Sequence, residues 1–446
     1  MKQFVLSAFI FVLSTLFNIN ECWAGDLSLA PAAARKTYIA RSSSTAKAFI
    51  SVTSFGRDVV NSFEYTITSD KGTVVEGTYT FKEAFRKYDT STCEIEFPVN
   101  KTTDITSLTF NINKVNNERN GATLGSCNIP FTFISKFATR KVVVEDFTGM
   151  WCGWCPRGIA AMEYMQKHYP ESFIGIAAHD GDALKCADYG YVLATYRGRP
   201  YVLMNRTTRI NSFVPKSELE RERDAGADMD VDISAVWDEG KNKISITSTT
   251  TFRLDISEGN YALAYVLTED GMTSSYWGQN NNFAGDMTLK GVSEEAEFFM
   301  NNYQTVYDIK NNHVAIAAKH ITNGLEGVVK APFVADKPIV HETSFDNIAQ
   351  YRKIQNKDNL SVCVLLFDKS NGQIVNANKC KIQTANATGI ESTAINNKEK
   401  HVVARYTING EFISTPVKGI NIVKYSDGTT KKEVIKYPPT SFMRAE

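Results

Sequence analysis

Two cysteines with a spacing suited to redox chemistry occur in the run Trp151-Cys152-Gly153-Trp154-Cys155. Thiols two residues apart can close a small, reversible disulfide ring, so the motif favours thiol–disulfide exchange. In that reaction a Cys152 thiolate would attack a disulfide of a partner, and Cys155 would resolve the mixed disulfide. A purely structural disulfide is the alternative, although so short a loop gains little stability from the cross-link.

A Cys-x-x-Cys pair can also supply half of a zinc site. Zinc takes about four ligands, and no second cysteine pair follows at the spacing of a zinc finger or a zinc ribbon. The nearest imidazoles along the chain are those of His168 and His179. The sequence therefore predicts no metal and no other cofactor at this motif.

The residues on either side of the motif predict a strand followed by a helix. Residues 141–147 form a β-branched, apolar run, which is typical of a buried parallel strand. Pro156 suits the first turn of a helix, where its missing N–H is harmless. Apolar residues then recur at three- and four-residue steps, as in an amphipathic helix: Ile159, Met162, Met165 and Tyr169. Cys152 would lie near the positive end of this helix, which lowers a thiol pKa.

The motif and its surroundings resemble the thioredoxin superfamily. Asp146 precedes Cys152 by six residues, where thioredoxins carry a buried aspartate beneath the second cysteine, and Phe147 matches the aromatic residue that follows. Residues 198–203 resemble the loop and strand that open with the cis-proline of the family, which makes Pro200 the candidate. A final helix would begin with Pro215, Ser217, Glu218 and Leu219.

Residues 145–149, followed by Trp-Cys-Gly-Trp-Cys-Pro, also resemble the thioredoxin-like outer-membrane-protein family of Bacteroidetes. The resemblance covers about residues 138–226 and lacks the first β-α unit of a full thioredoxin. It implies that Asp146 accepts the proton of Cys155. Its neighbour Glu145 is the alternative acceptor, since only one of two adjacent strand residues points inward. The predicted substrate contacts lie beside the motif and on the proline loop: Trp151, Trp154, Arg199 and Pro200.

The N-terminus is typical of a secretory signal peptide. Lys2 precedes an apolar run over residues 4–17, and small residues stand at both recognition positions for cleavage after Ala24. The run is too short for a membrane span. Residues 1–24 therefore predict export to the periplasm, the outer-membrane surface or the medium, with no transmembrane segment after cleavage.

Export would place the remaining cysteines in an oxidising compartment, where structural disulfides form. Cys93 and Cys127 share the N-terminal β-rich segment, whereas Cys363 and Cys380 flank a strand-turn-strand pattern. Both pairs are candidates for structural bridges. Cys186 is left over, either as a thiol that resolves a mixed disulfide or as a buried, inert one.

Length and charge predict a secreted protein of several domains. The 446 residues include 49 basic and 49 acidic side chains, so nucleic acid and anionic membranes are poor candidate partners. Residues 25–137 and 227–385 show short alternating runs split by turns, typical of β-sandwiches of the immunoglobulin-like kind. The predicted fold class is multidomain α/β plus all-β. A minimal thioredoxin-like domain, residues 138–226, lies between the two sandwiches, and a small β-module, residues 386–446, follows.

The C-terminal stretch over residues 402–436 reads as β-strands joined by glycine turns. It resembles the C-terminal sorting module of the type IX secretion pathway of Bacteroidetes, which implies transport to the cell surface. A small β-domain with a structural role is the alternative.

A polar and aromatic stretch, Tyr276-Trp277-Gly278-Gln279 followed by three asparagines, predicts a solvated loop, with glycan or peptide binding as the minor alternative. Taken with the motif, the sequence favours an exported thiol–disulfide oxidoreductase that acts on protein thiols or disulfides with a redox partner in the cell envelope. The alternative is a cell-surface adhesin or assembly protein whose thioredoxin-like domain is a non-catalytic scaffold.

Overall fold

The computed structural model describes residues 26–384, 402–407, 413, 415–425 and 430–435. The chain divides into two compact units, residues 1–386 and residues 387–446. The predicted signal peptide lies outside the described residues. Within the described part of the chain, every helix is too short or too polar to cross a membrane.

The first part of the larger unit is built from strands that surround one apolar core. The strands are β1 (Leu29–Ala33), β2 (Thr37–Ala40), β3 (Thr45–Ser54), β4 (Val60–Ser69), β5 (Gly72–Phe85), β6 (Thr90–Pro98), β7 (Leu108–Val115), β8 (Glu118–Arg119), β9 (Ser126–Asn128) and β10 (Phe131–Ile134). Two sheets, with strand orders β1-β3-β6 and β5-β4-β7-β8, contribute Ile50, Phe63, Phe97 and Phe110 to that core. Alternating side chains of β3 are buried, which is the period-two pattern of a strand with one face on a core.

The middle of the chain alternates strands and helices. Its elements are β11 (Val142–Thr148), α1 (Pro156–His168), β12 (Phe173–His179), α2 (Gly190–Thr195), β13 (Tyr201–Met204), β14 (Thr208–Ile210) and α3 (Lys216–Asp224). Strand β11 pairs in parallel with β12 and antiparallel with β13, and β13 pairs antiparallel with β14. Strands β11 and β12 are buried along their whole length, which explains the apolar runs over residues 142–144 and 173–178, and it also buries Glu145 and Asp146. The predicted strand before the cysteine motif and the predicted helix after it are confirmed.

The remaining elements of this unit are mainly strands: β15 (Met229–Trp237), β16 (Ile244–Phe252), β17 (Asn260–Glu269), β18 (Gln279–Asn280), α4 (Glu294–Met300), β19 (Thr305–Val306), β20 (Val314–Lys319), β21 (Leu325–Lys330), β22 (Pro338–Phe345), β23 (Leu360–Asp368) and β24 (Gln373–Gln383). Strand β20 joins the central sheet, because Ala177 of β12 pairs in parallel with Val314. One sheet therefore continues from β14 through β12 and β17 to β24, across the predicted domain boundary at residue 226.

Strand β17 shows why the α/β part and the β part form one body. Tyr265 and Leu267 point into a core shared with β15 and β16, whereas Ala264 and Val266 point into a second core that contains Phe147 of β11. Strand β17 therefore buries apolar side chains on both of its faces, one face in each core, and both contributions stabilise the fold. Separating the α/β elements from the β-rich part would therefore expose the second core.

The structure contradicts both predicted structural bridges, because Cys93, Cys127, Cys363 and Cys380 are free thiols. In the hairpin of β23 and β24, Cys380 lies opposite Val362 rather than opposite Cys363. This offset of one residue sends the two sulfur atoms to opposite faces of the sheet.

Cys93, Cys127 and Cys186 are also free thiols. Cys93 lies on β6 and Cys127 on β9, which belong to different sheets. Cys186 is a fully buried free thiol, and burial raises its pKa, which favours the inert alternative for this residue.

The smaller unit contains the antiparallel strands β25 (Val402–Thr407), β26 (Gly419–Tyr425) and β27 (Thr430–Ile435), in the order β25-β26-β27. Arg405 Nη1 donates to Glu433 Oε2 over 2.7 Å, which links the two outer strands across β26. The predicted strands of this stretch are confirmed, whereas its role in sorting stays a prediction.

Candidate active site

The cysteine motif lies in the turn between β11 and α1. Cys152 and Cys155 form a disulfide, with their Cα atoms 5.4 Å apart. Cys155 is the N-cap residue of α1, and its carbonyl oxygen accepts from the backbone N–H of Gly158 over 2.9 Å. Cys155 is fully buried, whereas Cys152 retains 5% exposure. Cys152 is therefore the more accessible of the two residues.

Two exposed tryptophans flank the disulfide. Trp151 is 53% exposed and Trp154 is 54% exposed. The indole N–H of Trp151 donates to the carbonyl oxygen of Asp180 over 2.7 Å. The Trp154 ring stands edge-on to Phe283, with 5.3 Å between the ring centroids. Both rings are therefore oriented by the protein while half of their surface faces solvent, and their predicted contact with a substrate stays a prediction.

The predicted cis-proline is confirmed, since the peptide bond between Arg199 and Pro200 is cis. It comes directly before β13, whose Tyr201 lies opposite Phe147 of β11. The loop that carries Pro200 is thus tied to the strand that leads into the cysteine motif.

Arg199, predicted to contact substrate, is instead directed into the protein. Its side chain is 5% exposed, and Nη2 donates to Asp180 Oδ2 over 2.9 Å. Its Nη1 donates to the carbonyl oxygen of Tyr196 over 2.7 Å. Because the carbonyl group of Asp180 holds Trp151, this guanidinium connects the proline loop to the cysteine motif, and we assign it a positioning role.

Asp146 lies on β11 beneath the first turns of α1. It is 1% exposed, and a Cβ atom added at Gly158 would lie 2.7 Å from its Oδ2 atom. Burial raises the pKa of Asp146 to about 7, although the positive charges of Arg199 and Arg157 act in the opposite direction. A carboxyl group with this pKa can both accept and release a proton near neutral pH.

Glu145, the alternative proton acceptor, points the other way along β11. It is fully buried and accepts from Arg206 Nε over 2.7 Å and from Arg206 Nη2 over 2.9 Å. The hydroxyl group of Tyr189 donates to the same carboxylate over 3.2 Å. Glu145 is therefore committed to a buried ion pair, which leaves Asp146 as the acid on the side of α1.

The contact between Gly158 and Asp146 predicts the effect of one substitution. Glycine inside a helix is normally about 1 kcal/mol less favourable than alanine. Here the added methyl group would press on a buried carboxyl group, so we expect Gly158→Ala to destabilise the protein by about 1–3 kcal/mol. Urea unfolding would measure this, with Gly190→Ala, whose Cβ meets nothing within 4 Å, as the control. A stabilised Gly158→Ala variant would contradict the close contact.

The predicted solvated loop around Trp277 is confirmed in part: Tyr276, Asn280 and Asn282 are exposed, but the stretch also packs against the cysteine motif. Gln279 and Asn281 are each 1% exposed. The loop donates to four successive carbonyl groups of the motif: Asn280 N to Met150 over 2.8 Å, Asn280 Nδ2 to Trp151 over 2.9 Å, Gln279 Nε2 to Cys152 over 3.0 Å and Asn282 N to Gly153 over 2.8 Å. Residues 279–282 therefore hold the redox turn through two backbone N–H groups and two side-chain amides.

Residues 279–283 also contact other elements of the fold, on the side away from the cysteine motif. Strand β18 pairs antiparallel with β19, and Phe283 packs with Ala160 of α1 and Phe299 of α4 in one small apolar cluster. Sequence reasoning missed this role. The available signal was the run of amide side chains, which suit the carbonyl groups of an irregular turn.

In the described part of the chain, no three His, Cys, Asp or Glu residues are grouped as metal ligands. The two imidazoles nearest the motif in sequence have other partners. His179 Nδ1 lies 2.8 Å from Asp182 Oδ2, and His168 Nδ1 lies 2.9 Å from the carbonyl oxygen of Tyr164.

The sequence matches no protein-family model and no curated protein. Among solved structures, HBP35 of Porphyromonas gingivalis is similar with a TM-score of 0.40 and 16% identity, over 66% of this chain and 98% of that one. A protein from Agrobacterium tumefaciens gives 0.32 and 16%, over 57% and 99%. A domain of the outer membrane lipoprotein Omp28 from Porphyromonas gingivalis gives 0.19 and 12%, over 35% and 90%.

Proposed function

We propose that this protein is an exported thiol–disulfide oxidoreductase with a thioredoxin-like active part. The strand order β12-β11-β13-β14, the helix α1 after the motif and the cis-proline before β13 support this proposal. The observation that carries it is the position of Asp146, a buried carboxyl group with a pKa near 7 beneath the helix that begins after Cys155. A disulfide that only cross-links a turn needs no such group.

In the reductive direction, the Cys152 thiolate attacks one sulfur atom of the partner's disulfide, and the other sulfur atom leaves as a thiolate. Cys155 then gives its proton to Asp146, and its sulfur forms a bond to Cys152 while the bond between Cys152 and the partner breaks. Both sulfur atoms of the partner leave as thiolates and take up protons from solvent, so the partner gains two electrons in all and the protein dithiol becomes a disulfide. The oxidative direction reverses each step.

The substrate class is protein thiols or disulfides. Trp151 and Trp154 expose flat apolar surface on either side of the disulfide, which suits contact with a polypeptide segment. Arg199 acts through the proline loop and does not touch the substrate in this scheme.

The test is to trap the reaction intermediate. Replacing Cys155 with serine leaves Cys152 able to attack but removes the resolving thiol, so mixed disulfides with cellular partners should accumulate. Non-reducing gels of the producing cells would show them as adducts that disappear on reduction. Cys186→Ser, which removes a buried free thiol, is the matched control and should give no adduct. If Cys155→Ser gives none either, the protein is better described by the alternative of an adhesin or assembly protein with a non-catalytic scaffold.

We further propose that the smaller unit directs the protein to the outer surface of the cell. Its three-stranded antiparallel sheet over β25–β27 supports this, because a secretion machine can read an exposed sheet independently of the cargo. Deleting residues 402–436 should leave the larger unit folded, since each unit has its own internal contacts.

The deletion variant should then stay in the periplasm, while the full chain is exposed outside. Protease added to intact cells would digest the full chain and spare the variant, and both should be digested after the outer membrane is opened. Equal protection of the two forms in intact cells would refute the sorting role and leave the redox proposal unaffected.

A further inference from the structure

A small polar cavity lies beneath α1, on the side of Asp146. Its volume is about 20 Å³, and its polar lining consists of Asp146, Thr148, Glu163, His179, Asn311, Asn312 and His313. A buried water needs roughly 10–15 Å³ of such space. The cavity therefore has room for one water molecule and for no larger guest.

Several polar atoms around this cavity lack a hydrogen-bonding partner in the protein. These are Asp146 Oδ1, Thr148 Oγ1 and His313 Nε2, whereas His313 Nδ1 lies 3.4 Å from Asp270 Oδ1. The three residues are between 1% and 3% exposed, so bulk solvent does not reach them. Because buried polar groups in folded proteins are almost always hydrogen-bonded, the cavity is built for a guest that both donates and accepts.

His313 is suited to orient such a guest. Burial lowers the pKa of His313 to about 3, with the charge of Lys379 acting in the same direction and that of Asp270 opposing it. The ring is therefore neutral near pH 7, with one nitrogen that donates and one that accepts. Its backbone N–H donates to Asp270 Oδ1 over 2.7 Å, and its ring packs edge-on against Phe173, so its position is fixed.

Glu163 gives the cavity a route to solvent. It lies on α1, is partly buried, and accepts from Asn312 Nδ2 over 2.8 Å. Burial raises its pKa, with the hydrogen bond from Asn312 opposing the shift and Asp270 and Glu295 adding to it. A second carboxyl group on the cavity wall that also reaches the surface can pass a proton to the medium.

We propose that this cavity holds one ordered water that carries the proton between Asp146 and Glu163, with His313 and Asn312 as positioning residues. The proposal rests on the redox function proposed above. Once Cys155 has given its proton to Asp146, the carboxyl group donates to the water, which donates in turn to Glu163, and Glu163 releases the proton to solvent. Every transfer moves one proton and no electron. Asn312 and His313 directly precede β20, so the β-rich part of the chain contributes to a site that the sequence assigns to residues 138–226.

The test is Glu163→Gln, which keeps the shape and the hydrogen bond to Asn312 but removes the titrating group. Reduced protein is mixed with a model disulfide at pH 7, and tryptophan fluorescence follows attack by Cys152 and resolution by Cys155 separately. Attack should be unchanged, whereas resolution should slow roughly tenfold in dilute buffer and recover as formate or acetate is added. Glu294→Gln, an exposed carboxyl group on α4 away from the cavity, is the matched control and should behave as the parent.

His313→Leu provides a second readout, since it removes the polar ring at similar volume. Infrared titration should show the pKa of Asp146 rise further in this variant, because a water is no longer held beside the carboxyl group. The relay is overturned if Glu163→Gln resolves at the rate of the parent, if added formate or acetate does not restore a slowed rate, or if His313→Leu leaves the titration of Asp146 unchanged. A parent protein without any exchange activity would overturn the proposed function itself.

Discussion

Replacing Cys152 with serine is expected to lower the rate of disulfide exchange by a factor of about 10³ or more. Cys152 is the only member of the pair with exposed surface, so no second sulfur can take over the attack. Serine keeps the size of the side chain but does not ionise near neutral pH, and the thiolate is the nucleophile in this chemistry. Reduction of a model disulfide by the purified protein, followed at saturating reductant, measures the loss.

Cys186→Ser is the control for this experiment, because it removes a thiol that is also close to the α/β core but fully buried. It should keep the rate of the parent. The exchange hypothesis is lost if Cys152→Ser and the parent react equally fast, and a matching loss in both variants would indicate damage to the fold instead.

Replacing Asp146 with asparagine is expected to change how stability depends on pH. The pKa of Asp146 is about 7 in the folded protein and 3.8 for an ordinary aspartate, because burial disfavours the charged form. Between these values the folded state binds more protons than the unfolded state. The contribution of Asp146 to stability is therefore fully present below pH 3.8 and is lost as the pH rises through 7. The parent should lose about 3 kcal/mol of unfolding free energy from this group between pH 5 and pH 8, and the asparagine variant should not.

Denaturant unfolding of the oxidised proteins at both pH values tests this, since Cys152 and Cys155 do not titrate as a disulfide. Asp286→Asn is the control. Hydrogen bonds from Thr288 lower the pKa of that exposed carboxyl group, so it stays ionised across the whole range and adds no pH dependence there. Parallel pH profiles for the parent and Asp146→Asn would contradict the raised pKa. In the reduced protein, Asp146→Asn should also slow resolution by Cys155 about 10²-fold.

Short-range sequence patterns specify the strand and the helix on either side of the cysteine motif. The apolar run of β11, the proline at the start of α1 and the apolar spacing of that helix are short-range patterns, and the structure follows them. The cis-proline before β13 and the burial of Asp146 also follow the pattern that the resemblance to thioredoxins implies. The strand and the helix depend on residues within a few positions of one another, so propensity and periodicity are enough to find them, whereas Pro200 and Asp146 were found through the resemblance.

Which distant residues contact the cysteine motif and Asp146 follows only from the tertiary structure. Residues 279–282 hold the redox turn from more than a hundred positions away, and His313 reaches the cavity beside Asp146. The register of β23 and β24 places Cys380 opposite Val362 instead of opposite Cys363. The fold also directs the Arg199 side chain into the protein, where it binds Asp180. Such contacts depend on which strands pair and with what offset, and a strand's own sequence specifies its buried face but not its neighbour. The chemistry of the motif is therefore local, whereas its support and the proposed proton route arise from the folded chain.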